Sequence, residues 1–338
     1  MSTGALMISF DFELAWGTRR SAHKPDHAAG IERVADVVRG LLDIFERHDI
    51  SATWATVGHL MLTGDQCPRG RFNYRRPGPE PAWFDGGWFD GIPGLDDPTA
   101  DRYYAPELVN RIVSCPVHQE LASHTFSHVI VADPSCTEEI AEDEFAKCRE
   151  LGHAWGRQIR SVVFPRNQIG HLEVLERTGH RCYRAANSEW YWFGTVAEPP
   201  RNPMVRKATG LVVRALRLVD ERLAICPPVL PARRVGNLWE LPHSMFYPGS
   251  AGVSRFSSPS DHWRRAAKGL QKATELGRIF SLYTHPHNFL PNPEPHLRAF
   301  ERICEEAARF RDQGTLHVKT MGEVADDLDQ GRNLNWAA

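Results

Sequence analysis

The sequence predicts an α/β fold built on a largely parallel sheet. Three observations predict it. Short β-rich runs alternate with segments whose apolar residues recur at helical spacing, the signature of βα units. Residues able to do chemistry fall at the ends of the predicted strands, where parallel α/β folds build their sites. The chain has 338 residues, 42% of them hydrophobic, enough for a sizeable core. One large barrel-type domain with insertions accommodates that length, and so do two ordinary domains.

The elements follow in order. "ALMISFDF" (5–12) is the first predicted strand. Residues 27–50 carry Ile31, Val34, Val37, Val38, Leu41, Leu42 and Phe45 at helical spacing. "SATWATV" (51–57) and "HQELASHT" (118–125) are strands, the latter ending at a histidine pair. A helix is expected next, with Ser135 and Glu138 at capping-box spacing and Gly156 as its stop. "RSVVFP" (160–165), a helix near 169–178 and "RCYRAA" (181–186) follow. The helix at 261–277, the strand "RIFSLYTH" (278–285), the helix at 295–314, "LHVKTM" (316–321) and "GEVADDLDQ" close the series. Segments 62–104 and 187–258 break the rhythm and read as long insertions. The first is rich in Gly, Pro and aromatic residues; Trp83, Phe84, Trp88 and Phe89 could be loop packing or a platform for a sugar ring.

Several classes of function are disfavoured. A formal net charge of −2 offers no global basic field for nucleic acid. The seven cysteines include no CxxC pair, which argues against a disulfide framework or a cysteine zinc cluster. No GxGxxG or phosphate-binding loop supports a nucleotide cofactor. The N-terminus reads as a strand and no run approaches a membrane span, so a cytoplasmic protein is expected.

The polar residues at strand ends are Asp11 and Glu13, His124 and His128, Arg166 and Asn167, Glu189 and Trp190, then His285 and His287. Each has an ordinary reading as a cap, a surface charge or a hydrogen-bonded histidine, and a lone His-x-x-x-His is weak. Their convergence on one rim is what carries weight. Two histidines and a carboxylate suit a hydrolytic metal that keeps an open position. A second carboxylate can serve as general base, a histidine can protonate a leaving amine, and an arginine can keep the base ionised. "HTFSH" lacks the glutamate of the zinc-protease helix, which disfavours a peptidase.

In this order the residues resemble the polysaccharide deacetylases of carbohydrate esterase family four, the NodB-homology fold, from Ile8 to about Met321. "SFDFE" resembles the first motif, "HTFSH" the second, "FPRNQ" the third, "NSEW" the fourth and "LYTH" the fifth. The resemblance implies a single distorted (β/α)7-type barrel that removes an N-acetyl or related acyl group from an aminosugar. It implies a divalent ion, Zn²⁺ with Co²⁺ or Ni²⁺ as alternatives, held by His124, His128 and Glu13. Asp11 would be the base, His285 the acid, Arg166 the partner of Asp11 and Glu189 the orienter of His285. Trp190 would form an apolar wall, with Asn167 and Trp88 completing the substrate pocket. Phe12 stands where the family has a second aspartate, so Glu13 takes the ligand role one residue later. The third motif lacks its proline and aromatic, and the fourth its first aspartate, which points either to a non-standard substrate or to a site that has lost its acetyl-sugar activity. With no export signal read in the sequence, that substrate is expected to be an intracellular precursor of a surface polysaccharide or lipopolysaccharide. A metal-independent amidohydrolase and a non-catalytic sugar-binding protein are the alternatives.

Overall fold

The first strand, β1 (Gly4–Phe12), is buried along its whole length, and alternation sorts its side chains into two environments. Leu6, Ile8, Phe10 and Phe12 pack outward with Val37, Leu41 and Phe45 of helix Val34–His48 and with Phe300 and Ile303 of helix Pro293–Asp312. Ala5 and Met7 join a separate cluster with Ala55, Ala122, Val163, Cys182 and Leu241, contributed by other strands. A strand covered on both faces reads as a continuous apolar run, which is why "ALMISF" shows no alternation.

The computed structural model describes residues 3–19, 33–67, 77–186, 219, 227–249, 257–290 and 292–338. The remaining strands are β2 (Ala52–Thr56), β3 (Gln119–Ser123), β4 (Ser161–Val163), β5 (Cys182–Ala185), β6 (Arg233–Val235), β7 (Leu238–Pro242), β8 (Met245–Phe246), β9 (Ile279–Thr284) and β10 (Leu316–Val318). Their order is β6-β7-β5-β4-β3-β2-β1-β9-β8, with β10 on β1, and every pairing is parallel except β6 with β7.

The run from β7 to β8 closes the ring. Cys182 to Ala185 pair with Trp239 to Pro242, and the His243 N–H donates to the Ala185 carbonyl at 3.0 Å. One residue later the Ser244 N–H donates to the Ser281 carbonyl at 2.8 Å, and Met245 pairs with Leu282. This single stretch is a barrel stave that leaves β5 at one end and joins β9 at the other. It corrects the reading of 187–258 as one insertion. Strand character there was masked by Pro242 and His243 in the middle of "LWELPHSMF".

The barrel is plugged at the N-terminal end of its strands. Met321, Val324 and Leu328 of helix Met321–Asp329, with Trp336, fill the interior there. Buried Glu120 accepts from Thr53 Oγ1 at 2.8 Å, Ser161 Oγ at 2.5 Å and the Gly322 N–H at 3.1 Å, so its charge is matched by donors and a helix N-terminus. The opposite, C-terminal rim is left for chemistry.

One predicted helix start moves. Thr137, not Ser135, caps helix Glu138–Ala154 by accepting from the Ile140 N–H, because the Ser135 hydroxyl and N–H are spent on Asp133 in the preceding turn. Gly156 takes the left-handed conformation expected just past a helix end. Among the described residues no helix is long and apolar enough to cross a membrane, and the described cysteines are free thiols.

Candidate metal centre

Glu13 lies one residue beyond β1, where the chain turns into a 3-10 helix at Leu14–Thr18. Phe12 points away, its ring edge-on to Trp54 at 6.2 Å within the outer core. A carboxylate at position 12 would therefore face the helices, and Glu13 is the residue that reaches inward. Gly17 makes room for it: a Cβ there would overlap the Glu13 carboxylate.

His124 follows β3, and its backbone N–H continues the ladder to the Thr56 carbonyl at 3.0 Å. Its Nδ1 sits 2.8 Å from the Val163 carbonyl. A carbonyl only accepts, so Nδ1 carries the proton and the lone pair of the neutral ring is on Nε2. That lone pair faces Glu13 Oε2 at 3.3 Å, and His128 Nε2 stands 3.0 Å from the same oxygen. These buried donor atoms of Glu13, His124 and His128 lie within 4.8 Å of one another. Two electron-pair donors aimed at each other in a buried site call for a cation between them, and a carboxylate with two imidazoles is a donor set that divalent zinc, cobalt or nickel accepts. The residues present fit the implied ion.

The loop between the histidines is held on several sides. Thr125 and His128 both have left-handed backbones, with φ of 58° and 59°, an unfavourable choice for non-glycine residues. The Gly58 and His59 N–H groups donate to the carbonyls of Thr125 and Phe126 at 3.0 and 2.8 Å. Buried Glu144, from helix Glu138–Ala154, accepts from the Ser127 N–H at 2.7 Å and from its hydroxyl at 2.6 Å. The Trp88 indole N–H donates to the Ser127 carbonyl at 3.0 Å. Trp88 is thus a buried support of the histidine loop, and its expected place in the substrate pocket is corrected.

Asp11 projects from the last turn of β1 into the same rim. Fully buried Arg184 donates to both of its oxygens, at 2.6 and 2.8 Å, and stacks over Tyr283 at 4.2 Å. Burial alone would raise the Asp11 pKa; the Arg184 guanidinium and His285 outweigh it and hold the carboxyl below its ordinary value. Glu13 is likewise pushed up by burial, yet the neighbouring imidazoles, His285 first and then His124 and His128, hold it well below. Burial lowers His128, against the pull of Glu13.

His285 follows β9, with Nε2 3.6 Å from both Asp11 Oδ2 and Glu13 Oε1. It is partly exposed, so a bound molecule can reach it. The His287 ring lies beside it, tilted by 39° at 4.8 Å, and burial, with His285, lowers its pKa to about 4. Asn167 accepts at 3.0 Å from Arg184, the side chain that also holds Asp11. His59 is a core residue bound to the Tyr103 carbonyl at 3.0 Å, lowered by burial to about 3.

The arginine at Asp11 corrects the expectation for Arg166. Arg166 is exposed and lies over the Trp83 ring, 5.2 Å from its centroid. Arg184 comes instead from the middle of β5, on the interior face shared with Cys182. A charged residue inside an otherwise apolar strand is rarely buried without a partner, and that was the signal available in "RCYRAA". Glu189 and Trp190 lie outside the described residues.

Solved structures share this architecture. A candidate polysaccharide deacetylase from Mycobacterium smegmatis matches with a TM-score of 0.58 at 15% identity, over 98% of this chain and 91% of that one. A probable polysaccharide deacetylase from Pseudomonas aeruginosa PAO1 matches with a TM-score of 0.54 at 11% identity, over 96% of this chain and 91% of that one. The chain has the polysaccharide-deacetylase fold. A 4-alpha-glucanotransferase from Thermococcus litoralis also matches, with a TM-score of 0.51 at 11% identity over 96% of this chain and 40% of that one. The deacetylase fold therefore does not by itself name a reaction; the side chains at its rim must. No protein-family profile matches the sequence, and no curated protein matches it.

Proposed function

We propose that the chain is a metal-dependent hydrolase that removes an acetyl or related acyl group from the nitrogen of an aminosugar. The observation that carries this reading is the convergence of Glu13 Oε2 with the Nε2 atoms of His124 and His128, beside a second, arginine-held carboxylate. Glu13, His124 and His128 would hold the divalent ion, which when bound supplies Lewis-acid polarisation of the acyl carbonyl. Asp11, kept ionised by Arg184, takes the proton of the attacking water. His285, within 3.6 Å of Asp11, returns a proton to the departing amine. Both groups reach one small volume, which spares the reaction the entropy of gathering them.

An intracellular aminosugar precursor of a surface polysaccharide or lipopolysaccharide, nucleotide-linked or lipid-linked, is the substrate this reading favours. The metal content of purified protein, with His124→Ala beside it, tests the centre: roughly one divalent ion per chain, lost in the variant, is expected. Acyl release from N-acylated aminosugars tests the reaction. Stoichiometric metal without acyl release from any of them would refute the deacylase reading and keep the centre.

A further inference from the structure

Arg166 and Asn167 are consecutive non-glycine residues with left-handed backbones, φ of 56° and 54°. Such a pair is costly and persists only where the surroundings enforce it. Here it sends neighbouring side chains to different tasks. Asn167 turns to Arg184, and through it to Asp11. Arg166 turns to the surface, its Cζ over Trp83 at 5.2 Å from the ring centroid. Trp83 is itself fixed, its indole N–H donating to Asp133 Oδ2 at 2.7 Å, while Asp133 Oδ1 is occupied by Ser135. Among the described residues Arg166 has no ion pair and no hydrogen-bond acceptor. A cation–π contact takes up no N–H donor, so the guanidinium fork keeps its donors for another group. The site is near, since the adjacent Asn167 accepts from Arg184, which holds Asp11.

We propose that Arg166, held over Trp83, is an oxyanion-binding subsite at the mouth of the metal centre, so that the aminosugar carries a phosphate or carboxylate. This rests on the aminosugar reading above. Because Arg184 has taken over the partnership with Asp11, Arg166 is available for a group that belongs to the substrate. The guanidinium fork matches either oxyanion bidentately, and its contact with Trp83 pre-organises it before the ligand arrives.

The test is calorimetric binding of three probes: N-acetylglucosamine 1-phosphate, N-acetylmuramic acid and the neutral methyl glycoside of N-acetylglucosamine. Each is titrated into the wild type, Arg166→Gln and Trp83→Leu. At least one anionic probe is expected to bind about tenfold or more tighter than the neutral one, a gap that closes in Arg166→Gln and narrows with salt and in Trp83→Leu. Which anionic probe shows the gap separates phosphate from carboxylate. No gap, a gap that survives Arg166→Gln, or no binding by any probe would overturn the subsite. Acyl release is scored separately: anion preference without release refutes the catalytic reading alone, and release without the preference refutes the subsite alone.

Discussion

Arg184 grips Asp11 through two nearly parallel hydrogen bonds, and neither partner reaches bulk water to any useful extent. A buried ion pair of this kind is weak as a source of stability but severe to break, because the survivor is stranded. Arg184→Met should cost about 3–5 kcal/mol of folding free energy and abolish turnover. Asp11→Asn with Arg184→Met should recover part of the stability and none of the activity. Arg166→Gln should stay within about 0.5 kcal/mol of the wild type, as an exposed substitution does. Urea midpoints on the four proteins check this. If Arg166→Gln proved the more destabilising single change, the assignment of Arg184 as the partner would be wrong.

Gly17 offers a test of the ligand set that leaves every ligand in place. A methyl group there collides with the Glu13 carboxylate, which must then swing away from His124 and His128. Gly17→Ala should weaken metal binding by about 10–100-fold, the range seen when ligand orientation is disturbed. The melting temperature of the metal-free protein should change little, because the collision is with the end of a side chain. Metal affinity measured against a chelator of known strength decides it; unchanged affinity would remove Glu13 from the ligand set.

Glu144 is expected to act on the same affinity from the other side of the loop. Both its oxygens hold Ser127, next to His128. Glu144→Ala leaves a buried N–H and hydroxyl without their acceptor, at about 1–3 kcal/mol, and should loosen metal binding about 10–100-fold. Glu144→Gln keeps an acceptor for the N–H and a donor for the hydroxyl oxygen, so most of the affinity should return. If both variants lost stability but neither lost affinity, Glu144 would be a plain core residue.

How much of this was legible in the sequence depended on where each partner sits. Glu13, His124, His128 and His285 stand beside strands with clear apolar runs, so strand reading placed them at one rim. Arg184 and Glu144 act across the fold, 173 residues from Asp11 and 17 residues from Ser127. Spacing carries no information about such pairs; only the oddity of a charge in a buried position does. The stave at Leu238–Phe246 was hidden for a different reason. It is assembled from two short pairings with different neighbours, and Pro242 and His243 at the switch erase its periodicity.

Acid should weaken the fold well before the carboxylates titrate. His59, His180 and His243 are each lowered to about 3, and His262 to about 4, all mainly by burial. Their folded pKa values lie below the unfolded value of about 6.5, so the unfolded chain binds protons that the folded chain refuses. Stability from these groups is complete above about pH 6.5 and falls as pH drops toward their folded values, by about 1.4 kcal/mol per pH unit for each group. Asp11 and Glu13 are lowered as well, but their unfolded values are near 4, so their contribution is lost only below that. Urea denaturation between pH 7 and pH 5 should therefore show a midpoint that falls steadily in this window. His180→Asn should reduce the slope by about one proton's worth, because His180 packs against Phe145 with its Nε2 lacking an acceptor. A flat profile from pH 7 to pH 5, or a slope indifferent to His180→Asn, would mean that these rings are protonated in the folded protein and that their burial is relieved by water.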